Sequence, residues 1–107
     1  MTRVLVVRAA ARLEIEEAAE WYEIREPDLG VAFIEAVEAI FGRIERTPQQ
    51  FAPMNTREPY RRALIARFPY HVFFEVLEDR VVVIAVAHER RRPGYWRARH
   101  RANPDRT

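Results

Sequence analysis

Seven consecutive apolar residues, Val81-Val82-Val83-Ile84-Ala85-Val86-Ala87, constrain this chain more than any other segment. A β-branched run of that length is apolar on both sides of the pleat, the pattern of a central strand. Before it, Glu78-Asp79-Arg80 is short enough to link a hairpin. In Tyr70 to Leu77, His71, Phe73 and Glu75 alternate with Val72, Phe74 and Val76. Further strands are expected at Val4 to Val7 and from Arg62 to Phe68.

Between the first strand and the others the periodicity changes. Ala11, Ile15, Ala18 and Tyr22 recur at helical spacing, with Glu14, Glu17 and Glu20 on other faces, so Ala9 to Arg25 reads as an amphipathic helix. Pro27 cannot continue it, and Asp28 is placed to cap a second helix. Phe33, Val37, Ile40 and Ile44 form the apolar stripe of that helix, which Thr47-Pro48 ends. Pro48 to Pro59 carries three prolines and reads as a long connection. The order strand, helical hairpin, three strands predicts a two-layer α+β domain with a mostly antiparallel sheet of about four strands. The helices cover one sheet face, and the other is expected to stay partly open, exposing His71, Phe73 and Arg67. One domain is expected over residues 1–101, with a flexible tail at 102–107, and His100 is expected in a mobile terminal stretch.

No apolar run reaches the length of a membrane span and no signal peptide is evident, so a cytoplasmic location without membrane association is expected. Cysteine is absent, which removes disulfides and thiolate metal sites. Three scattered histidines do not compose a ligand set, so neither a metal nor a cofactor is expected. All 18 basic residues are arginine. Residues 1–56 hold 6 Arg against 10 acids, and residues 57–107 hold 12 Arg against 6 acids. A fold built from such halves presents a positive face suited to phosphates or to an acidic protein segment.

The apolar run ends at His88-Glu89-Arg90-Arg91-Arg92-Pro93-Gly94-Tyr95-Trp96. A buried strand holds the residues that leave it in defined positions, so His88, the arginines and Tyr95 are expected to converge. Guanidinium forks suit phosphate and carboxylate alike, and histidine can move protons near neutral pH. Trp96 reads as packing over the core edge, while Tyr95 is left open between packing and stacking on a base. Trp21 and Tyr22 read as helix-sheet packing.

The chain resembles the RelE/ParE superfamily of type II toxin-antitoxin toxins, also called plasmid-stabilisation proteins. The resemblance is carried by Ala18-Ala19-Glu20-Trp21-Tyr22, Leu29-Gly30 with Phe33, Thr47-Pro48, Phe68-Pro69-Tyr70-His71-Val72-Phe73-Phe74-Glu75-Val76, and the series His88, Arg91, Pro93, Tyr95, Trp96 and Arg99. It implies a small growth-arresting toxin neutralised by a cognate antitoxin. Two modes of action are implied: ribosome-dependent mRNA cleavage in the RelE-like branch, and inhibition of DNA gyrase in the ParE-like branch.

In the nuclease branch the resemblance implies lysines and arginines on the second and third strands, an arginine after the fourth, and a C-terminal tyrosine. Here Arg61 and Arg62 enter the matching strand, His71 stands where that branch has arginine, Glu89 or Arg90 follows the last strand, and Tyr95 matches the tyrosine. Candidate catalytic residues are therefore His88, Arg91 and Tyr95. Candidate contacts to nucleic acid or target are Arg61, Arg62, Arg67, His71 and Arg90. RNA cleavage needs groups that exchange protons, and arginine stays protonated, so a chain without lysine would depend on His71 or His88. The ParE-like mode is favoured on that ground. A histidine-assisted mRNA interferase and a non-toxic binding module of the same fold are the alternatives.

Overall fold

The computed structural model describes residues 3–102. β1 (Val4–Val7) leads through Arg8 into α1 (Ala9–Arg25), which turns back as α2 (Leu29–Arg46). β2 (Tyr60–Leu64), β3 (Tyr70–Val76) and β4 (Arg80–His88) follow, and α3 (Trp96–Ala102) ends the described chain. The sheet order is β1-β4-β3-β2, with β1 parallel to β4 and the other pairs antiparallel. This is the expected two-layer α+β fold with the apolar run at its centre. Of the expected tail only Ala102 is described, inside α3; the remainder lies outside the described residues.

The helical hairpin packs its stripes, Ala11, Ile15 and Ala18 with Phe33, Val37, Ile40 and Ile44, on Val72, Phe74, Val81, Val83 and Val86 of the sheet. Its turn is built differently from the expectation. Asp28 occupies the N-cap of α2 in the left-handed region (φ 72°), and its side chain caps nothing. The carboxylate of Glu23 on α1 takes that role, accepting the amides of Asp28 and Gly30 at 2.9 Å each. This satisfies two otherwise unpaired donors from the neighbouring helix. Gly30 is required by the close approach of the helices, because a Cβ there would lie 2.6 Å from the carbonyl of Ala19.

The second strand also departs from expectation. It runs Tyr60–Leu64 rather than Arg62 to Phe68, because the residues after Leu64 are spent on the turn into β3. Ile65 N–H donates to Tyr70 O, closing the hairpin, and Arg67 takes a positive φ of 73° within the turn. Arg67 is therefore not on a sheet face.

A bulge between Phe73 and Phe74 leaves Ile84 as an extra residue in β4, so Ile84 and Ala85 both join a second core on the far face. That face is not open around Phe73. After the Pro93-Gly94 turn, with Gly94 at φ 75°, α3 folds back and buries Trp96 completely against Tyr60, Phe73, Ile84 and Ala87. Trp96 stacks at 5.1 Å on Phe73 and meets Tyr60 edge-on at 5.0 Å. His100, expected in a mobile tail, is instead buried one turn later with Nε2 3.3 Å from Glu75 Oε1. Arg97 adds a paired contact to both oxygens of Glu58 at 2.7 Å. The α3 helix escaped the sequence reading because seven residues carry almost no periodicity; what holds it is tertiary, an indole in a pocket made by three strands.

Packing and polar satisfaction conflict at Trp96, whose Nε1 is buried with no hydrogen-bond partner among the described residues. An unpaired buried donor costs about 1–3 kcal/mol, less than the contacts of a buried indole contribute. Trp96→Ala is therefore expected to lower the unfolding free energy by about 3–5 kcal/mol, whereas Trp96→Phe, which removes the unpaired donor and keeps a ring, costs less than about 1.5 kcal/mol. Chemical denaturation of the two variants measures both, and equal losses would contradict this account of the second core.

Candidate functional site

Because β1 pairs with β4 only as far as Val83, the stretch from Ile84 to His88 has no neighbouring strand on that side. Side chains complete the edge instead. Glu14 on α1 accepts the amide of Val86 at 3.0 Å, and Arg99 on α3 donates to the carbonyl of Ile84 at 3.2 Å. The same carboxylate receives the guanidinium of Arg99, at 3.1 Å on Oε1 and 3.3 Å on Oε2, and the hydroxyl of Tyr95 on Oε2. Arg91 lies 3.9 Å over the Tyr95 ring and Arg99 5.4 Å from its centroid. Burial, and then the bond to Glu14, hold the Tyr95 phenol well above its ordinary range.

On the far face of the sheet, beside α3, Tyr95 and Arg91 of this cluster border a small cleft of about 130 Å³. Arg62, His71, His88, Arg91 and Tyr95, all candidates from the sequence, line it together with Arg92, which was not among them. Of the residues expected to converge at the strand exit, His88, Arg91, Arg92 and Tyr95 line the cleft and Arg90 does not. His88 is oriented by its Nδ1, which accepts the amide of Arg90 at 3.0 Å, and by edge contact with Tyr70 at 5.2 Å. Burial, and then the charge of Arg62, push His71 below its ordinary value, with Glu89 acting in the opposite direction.

The remaining three candidates are placed elsewhere. Alternation along β2 puts Arg61 on the face opposite Arg62, where its guanidinium donates to the Phe51 carbonyl at 2.6 Å. Arg67 occupies the exposed β2-β3 turn, and Arg90 is exposed with only its amide engaged by His88. The reading from sequence missed Glu14 and Arg99 as members of the cluster. Glu14 is one of several glutamates on α1, and nothing local distinguishes the one that faces the free strand edge.

Chemically, the cleft offers several guanidinium donors and a neutral imidazole at His71. Its tyrosine is engaged as a donor to Glu14, and burial together with that bond makes it a weaker acid than a free phenol. Among the described residues no group of His, Asp or Glu side chains converges to hold a metal ion, and no helix is long and apolar enough to cross a membrane.

Glu14→Gln removes the charge that pairs with Arg99 and offers Tyr95 a weaker acceptor. It is expected to cost about 1–3 kcal/mol of stability and to bring the Tyr95 phenol back toward the ordinary range, read by denaturation and by ultraviolet titration. For His71, Arg62→Ala raises the imidazole pKa toward 6.5 and Glu89→Gln lowers it further, measured by NMR titration of the ring. Because its folded-state value lies below 6.5, the unfolded chain binds the proton more readily, and this residue's effect is a loss of stability as pH falls below 6.5.

The fold and sequence agree on kinship. The family model described as "ParE toxin of type II toxin-antitoxin system, parDE" matches residues 5–93, ending just before Tyr95 and α3. A chain in the structure of the chromosomal ParDE toxin-antitoxin system from P. aeruginosa superimposes with a TM-score of 0.71 at 13% identity, covering 81% of this chain and 96% of that one. A chain of the toxin-antitoxin complex RelBE2 from Mycobacterium tuberculosis superimposes at 0.59 with 18% identity, covering 82% and 99%. No curated protein matches at a significant level. With five-sixths of its length matched by the family model, the chain belongs to the ParE toxin family of type II toxin-antitoxin systems, within the RelE/ParE superfamily.

Proposed function

We infer that this toxin acts by holding a protein target, DNA gyrase, rather than by cutting RNA, and that a cognate antitoxin silences it in the cytoplasm. The observation that carries the reading is the commitment of Tyr95. Its hydroxyl is bonded to Glu14 and its proton is held more tightly than in a free phenol, which makes the aromatic hydroxyl in the cleft a poor proton donor to a leaving group. The surrounding arginines, which never deprotonate, are suited to gripping carboxylates of a partner. The antitoxin is supported by the two structural neighbours, both described as toxin-antitoxin assemblies. An acidic segment is the natural complement to the Arg62, Arg91 and Arg92 wall.

One observation favours the second reading, ribosome-dependent mRNA cleavage. His71 and His88 share the cleft with Arg62 and Arg91, and a neutral His71 is competent as a general base.

The two are separated by inducing the chain in cells without its antitoxin. Gyrase-linked DNA breaks are expected to accumulate while mRNA termini stay unchanged. Translation-dependent mRNA cuts that vanish in His71→Ala or in His88→Ala with Arg91→Ala would instead establish the nuclease. Normal growth at good expression would leave a non-toxic binding module.

A further inference from the structure

The outer face of α1 is not explained by the fold or by the cationic cleft. At about 100° per residue, Glu16, Glu20, Leu13, Ile24, Glu17 and Trp21 share one arc of the helix, opposite the buried stripe. Three of them are large apolar side chains left in water: Leu13 is 56% exposed, Trp21 49% and Ile24 74%. Trp21 is thus not the packing residue expected from the sequence; only Tyr22 beside it is, in ring contact with Phe33, Phe68 and Tyr70. The three carboxylates Glu16, Glu17 and Glu20 form no ion pair among the described residues. Along one edge this arc opens into a groove of about 600 Å³, walled by Glu14, Glu17 and Trp21 on α1, by Tyr70 and His88 of the sheet, and at its far end by Arg91.

We propose that this face is a second docking surface, for a cationic, apolar helical segment of a partner protein, which meets the cleft beside α3 only at the end of β4, where Ala87, His88 and Arg91 border both. Charge decides the occupant. A two-fold dimer through α1 would set the carboxylates of one copy against those of the other, and nucleic acid or an anionic membrane is repelled by the same groups. A segment with leucine and arginine at helical spacing places apolar side chains on Leu13 and Ile24 and its cations against Glu16, Glu17 and Glu20. The Trp21 ring already takes a guanidinium, that of Arg25, 3.4 Å from its centroid, so the aromatic surface there accommodates a cation. From Leu13 to Ile24 the arc spans about three turns, enough to seat a helix of similar length. The proposal stands whichever target the cationic cleft engages.

The test is titration of the isotope-labelled protein, followed by NMR, with a synthetic Leu/Arg amphipathic helix of about four turns and its Leu/Glu counterpart. The Leu/Arg peptide is expected to bind saturably, to shift amides of the α1 arc, and to bind at least about tenfold more tightly than the Leu/Glu peptide. Leu13→Ser with Ile24→Ser, and separately Glu16→Arg with Glu20→Arg, are each expected to weaken it by about tenfold or more. All four positions are on the surface, and spectra of the free variants verify the fold. Equal affinity for both peptides, shifts confined to the C-terminal half, undiminished binding by the variants, or no saturable binding would overturn the proposal. Self-association in sedimentation that Ile24→Ser abolishes would assign the face to a second copy and also overturn it.

Discussion

The carboxylate of Glu14 is the contact on which the arrangement of the cleft depends. β1 ends at Val7, so the central strand outruns its neighbour and leaves backbone groups without a partner next to a helix. Unpaired backbone groups at a buried edge are costly, and here a helix carboxylate and a helix guanidinium supply the missing acceptor and donor. Since each side chain has capacity for further bonds, the pair also takes hold of each other and of Tyr95. One edge repair thereby draws together α1, β4, Tyr95 and α3. The loop carrying Arg90, Arg91 and Arg92 is held between two anchors, the end of β4 and the buried Trp96.

That anchoring gives the positive half of the molecule a defined shape. The α3 helix covers the far sheet face up to Phe73 and leaves a narrow cationic cleft at its margin instead of the broad open face that alternation alone suggests. On the other side of the same strand end, α1 turns outward its carboxylates and three apolar side chains. The uneven division of charge along the chain becomes a division between surfaces, because the acidic residues are concentrated in α1 and the arginines in the segment after β4. A toxin of this family carrying both has room to meet partners of opposite sign.

The helical hairpin and the central strands were legible because their burial is periodic. Ala11, Ile15 and Ala18, and Phe33, Val37, Ile40 and Ile44, are the buried residues of their helices, as their spacing indicates. The run from Val81 to Ala87 is buried throughout. Convergence at the strand exit was legible for His88, Arg91 and Tyr95, since a buried strand fixes the residues that leave it; that Arg62 and His71 share their cleft follows from the pairing of β2 with β3 and β4. What failed lacked a local signature. The cap of α2 comes from Glu23 rather than Asp28, the second strand ends before the Arg67 turn, and Trp21 faces water although it adjoins a packed tyrosine. Each depends on which surface a neighbouring element offers.

By itself the amino-acid order determined the helical hairpin, the central strands, their layering and the sign of charge each half would carry, because these follow from periodicities of two and 3.6 residues and from composition. Tertiary structure alone decided that a seven-residue helix would form, that an exposed-looking histidine would be buried as His100, and that one glutamate among many would bind the tyrosine. The physical reason is the same in all three cases. A free strand edge and a vacant apolar sheet face exist only once the sheet is assembled, and they select the partners that complete them by geometry, which no stretch of sequence records.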